Sequence, residues 1–393
     1  MKTDDAKLDS PARLKVGLVP RYRNAFRLCG YAGLALATLL CMTLVGRLLL
    51  SRWVMLAVVA VAVLTFYALA LATKMIEGRE RLVYYHHQIA VTVTTAVLLW
   101  LWRQPILPYL ELTTLGVGLF LACGRVGCFL VGCCHGRPHR LGVCYRAEHA
   151  EEGFAAHYVG VRLLPVQLVE ALWVFSVVVA GVVFVLRRRD PGEALAWYVI
   201  MYGAGRFCFE FARGDAERPY RLGFSQPQWT SLALMLGVAA LELSGRLPYR
   251  VWHVIAAGLV ASGAVGVAAS RRLRNAPTHL LLHPRHVREV AETLASASRR
   301  AAEAGAGPAA ECAPAAVRVS CTSLGIRIST DTIREARGEI QHYALSGKDR
   351  MMTEPVARAL VKLICLIKHP CGSAEVIESG QSVFHLLVRR AGR

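Results

Sequence analysis

Long apolar runs separated by short basic turns dominate the first two thirds of the chain. A bilayer core of ~30 Å needs ~20 mostly apolar residues per helix. The pattern predicts eight such helices, over about 28–47, 53–73, 88–104, 112–134, 164–186, 194–212, 228–244 and 251–269. The first begins after Arg27 without a small-residue cleavage site, so a retained helix is expected, not a signal peptide. From about residue 275 the period changes. A short strand (His279 to Leu282) and a helix (Pro284 to Arg300) precede an Ala, Gly and Pro-rich linker from Ala301 to Ala316. Alternation then predicts strands at Val317–Ser320 and Gly325–Ile328, a helix at Glu354–Ile367 and a last strand at Ser382–Val388. The expected fold class is an all-α polytopic membrane protein of seven to eight transmembrane helices, with a small C-terminal α+β soluble domain. Its expected divisions are a basic N-terminal tail (1–27), a transmembrane domain (28–270), a basic segment with helix and linker (271–316), and the remainder of the soluble domain (317–393).

Charge sharpens this picture. There are 46 Lys and Arg against 27 Asp and Glu, a formal charge of +19, gathered mostly at helix ends. In a polytopic chain that distribution points to an anionic lipid surface and away from nucleic acid. Twelve cysteines divide by context. Cys29, Cys41, Cys123 and Cys208 lie within apolar helices and are expected to be buried and inert. Cys312, Cys321, Cys365 and Cys371 belong to the C-terminal region and are most comfortable reduced.

Candidate chemistry starts where charge enters an apolar run. The stretch Gly124-Arg125-Val-Gly127-Cys128-Phe-Leu-Val-Gly132-Cys133-Cys134-His135-Gly136-Arg137 puts a guanidinium at lipid depth, where it normally faces a polar interior. Gly132 and Gly136 have the spacing that lets helix backbones approach. Tyr202, Arg206 and Glu210 are four apart and share one helical face, with Phe and Ala opposite. Arg206 could grip a phosphate bidentately, Glu210 orient it or move a proton, and Tyr202 donate a hydrogen bond; the bland alternative is a structural Arg206–Glu210 ion pair. Arg125 and Arg206 together would make a phosphate clamp. Glu170, in the helix opened by Pro165, is a further candidate for the same polar centre. Tyr84, Tyr85, His86 and His87 stand at a membrane entrance, where a histidine can be a general base or an aromatic belt residue simply anchors the chain. Cys128, Cys133 and Cys134, with His135 and Cys144 nearby, read as packing, as reactive thiols whose pKa His135 and Arg137 could lower, or as a soft-metal site. Adjacent cysteines lack CxxC spacing, so no metal or other cofactor is expected.

The order of these motifs resembles the bacterial prolipoprotein diacylglyceryl transferase family. The carrying residues are Gly124-Arg125-x-Gly127 with Gly132 and Gly136-Arg137, Pro165-x-Gln167-Leu168-x-Glu170-Ala171, Tyr202-Gly-x-Gly-Arg206-Phe-x-x-Glu210-Phe, and Ser225-x-x-Gln228-Trp229. The resemblance implies a multi-pass inner-membrane enzyme that moves a diacylglyceryl group from phosphatidylglycerol to the thiol of a lipobox cysteine in a prolipoprotein. By the same likeness Arg125 and Arg206, aided by Arg137 and Tyr85, would bind substrate. Glu170, Glu210 and Tyr202 would organise the site, and His86 or His87 would take the thiol proton. Cys128 and Cys133 stand where the family usually has Asn and Glu, Tyr85-His86-His87-Gln88 replaces a His-Gly-Gly pattern, and the tail after about residue 275 is extra. These departures keep two other classes open: a non-catalytic lipid-binding scaffold whose C-terminal domain engages a protein partner, and a membrane thiol redox protein built on Cys128, Cys133 and Cys134.

Overall fold

The computed structural model describes residues 22–78, 83–151, 153–187, 189–216, 218–274, 278–304, 319–335, 338–347, 352–368, 373–379 and 382–389. Eight long helices appear where the apolar runs lie: α1 (Tyr22–Arg47), α2 (Arg52–Glu77), α3 (Tyr84–Leu101), α4 (Ile106–Val131), α6 (Val166–Leu186), α7 (Glu193–Phe209), α8 (Gln226–Leu243) and α9 (Val251–Arg274). Between α4 and α6 run strand β1 (Pro138–Cys144), the short helix α5 (Ala147–Glu151), a 3-10 turn and strand β2 (Arg162–Leu163), which pairs antiparallel with β1. A second small hairpin, β3 (Tyr220–Arg221) with β4 (Phe224–Ser225), precedes α8.

Among the described residues, five helices are long and apolar enough to cross a membrane: Ala25–Arg47, Arg52–Glu77, Ile106–Val131, Val166–Leu186 and Val251–Arg272. The other three, α3, α7 and α8, run 18, 17 and 18 residues. They are shorter and more polar because they supply Tyr85, His87 and Gln88, Tyr202 and Arg206, and Gln228 and Ser231 to the buried centre. Leu112, Leu115, Tyr109 and Leu121 of α4 are buried in one core with Leu44 and Val45 of α1, Val174 and Val178 of α6 and Tyr198 of α7. This makes α4 the axis of the bundle. Of the four helix cysteines expected to be buried, only Cys41 is so; Cys208 is exposed. It lies on the side of α7 opposite Arg206, the outward face that the four-residue spacing defines.

Beyond α9 come a single helical turn, α10 (Thr278–Leu281), helix α11 (Pro284–Ala304), strands β5 (Ser320–Cys321), β6 (Ile326–Glu335) and β7 (Gly338–Gly347), helix α12 (Glu354–Lys368), and strands β8 (Ser373–Glu378) and β9 (Val383–Arg389). The five strands form one antiparallel sheet in the order β5-β6-β7-β9-β8. The strand expected at His279–Leu282 is instead the turn α10, whose buried Leu281 packs beneath α11. Four apolar residues are too few to declare a period. Strands β7 and β8 went unforeseen because Gly338–Gly347 mixes His342, Tyr343 and Ala344 without clean alternation and β8 is an exposed edge. Most of the expected linker, the first residues of the strand at Val317, the tail 1–21, Cys312 and Cys371 lie outside the described residues.

The core beneath this sheet is shared with the bundle. Val290, Leu294, Ile328, Leu345, Leu360 and Leu386 pack in one buried cluster with Tyr145, Phe154, Tyr158 and Leu163 from the α4–α6 connection. The α+β region is thereby seated on the segment that follows the glycine and arginine-rich motif.

Candidate functional site

The end of α4, the start of α6 and the end of α7 meet at one level, and backbone hydrogen bonds lock the chain segments between them. Gly136 N–H donates to the Leu164 carbonyl (2.9 Å), Leu164 N–H to Arg137 (3.0 Å), Arg137 N–H to Ala212 (3.0 Å) and Gly214 N–H to His135 (3.0 Å). A side chain at Gly136 would run into the Leu164 backbone, so only glycine allows this approach. Gly132 does different work from the helix packing its spacing with Gly136 suggested. It terminates α4 in the left-handed conformation (φ 82°), with its N–H on the Cys128 carbonyl at 3.0 Å. Gln167, wholly buried, donates to the Cys133 carbonyl (2.9 Å). At α8, Ser225 and Gln228 form a reciprocal capping box, and Gln228 also donates to the Phe207 carbonyl (3.2 Å), tying α8 to α7.

These ties hold a chain of ions, buried at Arg125, Glu170, Arg206, Glu210 and Arg213 and half-buried at Asp215 and Arg218. Glu170 Oε2 lies 3.2 Å from Arg125 Nε, 3.3 Å from Arg206 Nη1 and 3.5 Å from Arg213 Nη1. Arg206 Nη2 reaches Glu210 Oε2 at 2.9 Å. Glu210 also pairs with Arg218, which donates in turn to Asp215 Oδ2 (2.5 Å). Arg213 Nε closes the circuit on Asp215 Oδ1 at 2.9 Å. Among the described residues, four guanidinium groups thus face three carboxylates, an excess of one positive charge. Buried charges are tolerated only when paired, and the surplus is a cation with capacity for an anion. Burial would raise the Asp215 carboxyl, but Arg213 and Arg218 overcome it and hold Asp215 well below the usual carboxylate range. Burial lowers the pKa of His135, whose Nδ1 is 2.9 Å from the Gly136 carbonyl, so this ring stays neutral at pH 7 and acts as a donor there.

Hydrogen-bonding capacity remains at the same place. Tyr202 Oη, Arg125 Nε, Arg213 Nη1 and Glu170 Oε1 are all buried without a well-formed hydrogen bond among the described residues. Tyr202 stacks on Tyr198 at 5.7 Å and meets Tyr84 edge-on at 5.0 Å, while Tyr84 and Tyr198 share a hydroxyl hydrogen bond of 2.6 Å. That aromatic wall fixes the Tyr202 ring next to the ion cluster.

Of the residues singled out in the sequence, Arg125, Glu170, Arg206 and Glu210 come together in this network, with Tyr202 beside it. Arg137 donates from Nε to the Arg213 carbonyl (3.2 Å), so it supports an arginine of the cluster through the backbone. The Tyr85 hydroxyl bonds Ser231 Oγ (2.6 Å). His86 is exposed, its ring 3.2 Å from Gln226, and His87 is buried against Phe66 with Nδ1 3.0 Å from the Val83 carbonyl. Neither histidine ring is among the ion pairs around Glu170 in the described residues. Sequence reasoning missed Arg213, Asp215 and Arg218. Their signal was the charge alternation of Glu210-Phe-Ala-Arg213-Gly-Asp215-Ala-Glu-Arg218, directly after an amphipathic ion-bearing helix.

A membrane-helix bundle with a buried, net cationic arginine and carboxylate network defines the class. The sequence model described as prolipoprotein diacylglyceryl transferase matches residues 30–243, and the chain belongs to that family. Among its relatives, the phosphatidylglycerol–prolipoprotein diacylglyceryl transferase of Clostridium tetani is 34% identical over 139 residues, covering 35% of this chain and 54% of that protein. A second transferase of that name, from Clostridium perfringens, is 28% identical over 147 residues, covering 36% and 55%. One from Dehalococcoides mccartyi is 30% identical over 126 residues, covering 32% and 46%. The chain therefore spans about half the length of these curated relatives. No solved structure matches it.

Proposed function

We propose that this protein transfers the diacylglyceryl group of phosphatidylglycerol to the thiol of a lipobox cysteine in a prolipoprotein, the reaction its relatives' names describe. The observation that carries this reading is the excess of one positive charge, among the described residues, in the ion network where the ends of α4 and α7 meet the start of α6. The acceptor sulfur, as thiolate, attacks the glyceryl carbon. A C–S bond forms, the C–O bond breaks, and glycerol phosphate departs with the electron pair. Arg125 and Arg206, joined by Arg213 and Arg218, bind the phosphodiester and stabilise the charge that grows on the leaving group. Glu170 and Glu210 hold the guanidinium groups in place and keep them from repelling one another. Tyr202 offers its hydroxyl to a substrate oxygen, with Tyr85 shaping the adjoining wall and Arg137 bracing Arg213. His86, exposed on α3 beside Gln226, and His87, buried against Phe66, are the two candidates for the base that takes the thiol proton.

In this reading the eight long helices supply seven to eight spans of a bacterial inner membrane, with α3, α7 and α8 crossing as polar helices sheltered by the other five. The tail 1–27, the membrane domain 28–270 and the two C-terminal divisions 271–316 and 317–393 are the functional units, the last offering a protein partner a docking domain. The test is transfer of label from glycerol-labelled phosphatidylglycerol to a lipobox peptide by the full-length protein in detergent. A thioether product that disappears in Arg206→Ala is expected; absence of product from folded wild-type protein overturns the reading.

A further inference from the structure

The turn after α4 carries a second cluster that phosphate binding leaves unused. Cys128 sits in the last turn of α4 and Cys133 and Cys134 in the turn beyond, yet their three Sγ atoms lie within 4.8 Å of one another. Sequence spacing alone spoke against this, because neighbouring cysteines usually diverge. Two backbone reversals bring them together: Gly132 at φ 82° and Cys134 itself at φ 58°. A non-glycine residue held there is strained and persists only where its surroundings over-determine it. Gln167, through its bond to the Cys133 carbonyl, is one such determinant. The cluster is also reachable, since Cys133 is exposed while Cys128 is buried.

Three soft donors converging on one point form the ligand set of a thiolate-bound metal ion. A disulfide would use two of the sulfurs and strand the third. With Zn–S bonds of about 2.3 Å, tetrahedral sulfurs stand roughly 3.8 Å apart, so the thiols need to draw in by no more than about 1 Å. Charge agrees. Three thiolates on a divalent ion carry one net negative charge, and Arg125 and Arg213 of the surplus-positive network both interact electrostatically with this cluster. Three protein ligands and one open position are the pattern of catalytic zinc, not of closed structural sites.

We propose that Cys128, Cys133 and Cys134 bind one soft divalent ion of the Zn2+ class with an open fourth position, and that the acceptor cysteine binds there. The first half stands alone; the second rests on the transferase reading. A thiol that coordinates such an ion is deprotonated outright. The S–H proton passes to solvent as the S–metal bond forms. The sulfur then forms the C–S bond with the glyceryl carbon while the glycerol phosphate leaves on the arginines, and no oxidant or reductant is consumed. The ion would thus deliver a thiolate next to the phosphate clamp.

The test loads reduced, chelator-stripped, full-length protein in detergent with Co2+ under anaerobic conditions. The expected result is one Co2+ per chain with sulfur-to-metal charge-transfer absorption that Zn2+ removes. Cys128→Ser, Cys133→Ser and Cys134→Ser each lose the band while remaining monodisperse, and Cys144→Ser retains it. No band in wild-type protein, or a band that survives all three substitutions, overturns the site. A lipobox peptide should then perturb the band when it carries cysteine and not when it carries serine. An unperturbed band refutes acceptor coordination and leaves the metal site standing. A metal-loaded protein that yields no thioether refutes the transferase reading without touching the site.

Discussion

Replacing Arg206 by lysine separates geometry from charge. The substitution keeps the one surplus positive charge of the network but replaces a planar fork with a single ammonium. In the native site Nη1 stands 3.3 Å from Glu170 and Nη2 2.9 Å from Glu210, so one guanidinium bridges carboxylates on two helices. An ammonium on a flexible stem keeps one of these contacts well and gives up the other. A hydrogen bond to a charged group is worth about 1.5–3 kcal/mol. If that alignment is needed when charge develops on the leaving phosphate, the loss is about tenfold to about a hundredfold in kcat/KM, at 1.36 kcal/mol per decade. The assay is initial-rate transfer of labelled lipid to a lipobox peptide, with kcat and KM resolved. Arg250→Lys is the control. Arg250 likewise bridges two carboxylates, Glu193 at 2.8 Å and Asp190 at 3.2 Å, but belongs to a separate ion cluster formed with the α6–α7 turn. It should leave kcat/KM unchanged. Wild-type kcat/KM in Arg206→Lys, or an equal loss in Arg250→Lys, would refute the reasoning.

Three further outcomes follow from the packing. Gly205→Ala drives a methyl into the Trp173 indole, which donates to the Met201 carbonyl at 3.0 Å, and should lower the thermal midpoint in detergent by the equivalent of about 1–3 kcal/mol; an unchanged midpoint contradicts the close α6–α7 contact. Burial holds the His286 pKa down, outweighing the hydrogen bond to the Leu281 carbonyl and the nearby Glu289, which both raise it. The stability it contributes is therefore complete above the ordinary histidine value of about 6.5 and is lost as pH falls through the lowered one. Hydrogen-exchange protection of α11 and β5, relative to the intrinsic rate at each pH, should fall on acidification, and His286→Gln should blunt that dependence. Arg285 donates to the Ala216 and Arg218 carbonyls, both at 3.3 Å, and so ties the C-terminal region to the loop that bears Arg218. Arg285→Ala should speed proteolytic cleavage of residues 214–220 and reduce transfer, whereas equal cleavage rates would show the loop to be held without it.

Much of the site could be read in advance because its residues break a strong local rule. Arg125, Glu170 and Arg206 are ionisable groups inside otherwise apolar runs, and the cost of an unpaired charge there marks them without any alignment. The four-residue spacing of Tyr202, Arg206 and Glu210 also survived, since helical periodicity is local. Arg213, Asp215 and Arg218 break no such rule: charges in a loop are ordinary. They become part of the site only because the Gly136–Leu164 and Gly214–His135 backbone bonds fold their loop onto the end of α4. The cysteines show the same limit from the other side. Their spacing looked wrong for convergence until two left-handed residues reversed the chain.

Hydrophobic burial and helix periodicity are properties of a segment and its solvent, so the sequence by itself determined the eight long helices, the existence of a charged interior and the presence of a C-terminal α+β region. Partnership is a property of pairs distant in the chain. Only the tertiary structure decided that Glu170 would serve three arginines, that Cys128 would meet Cys133 and Cys134, and that the C-terminal sheet would share its core with Tyr145, Phe154 and Leu163. Each of those contacts depends on where several backbones cross, and no local pattern of residues encodes that position.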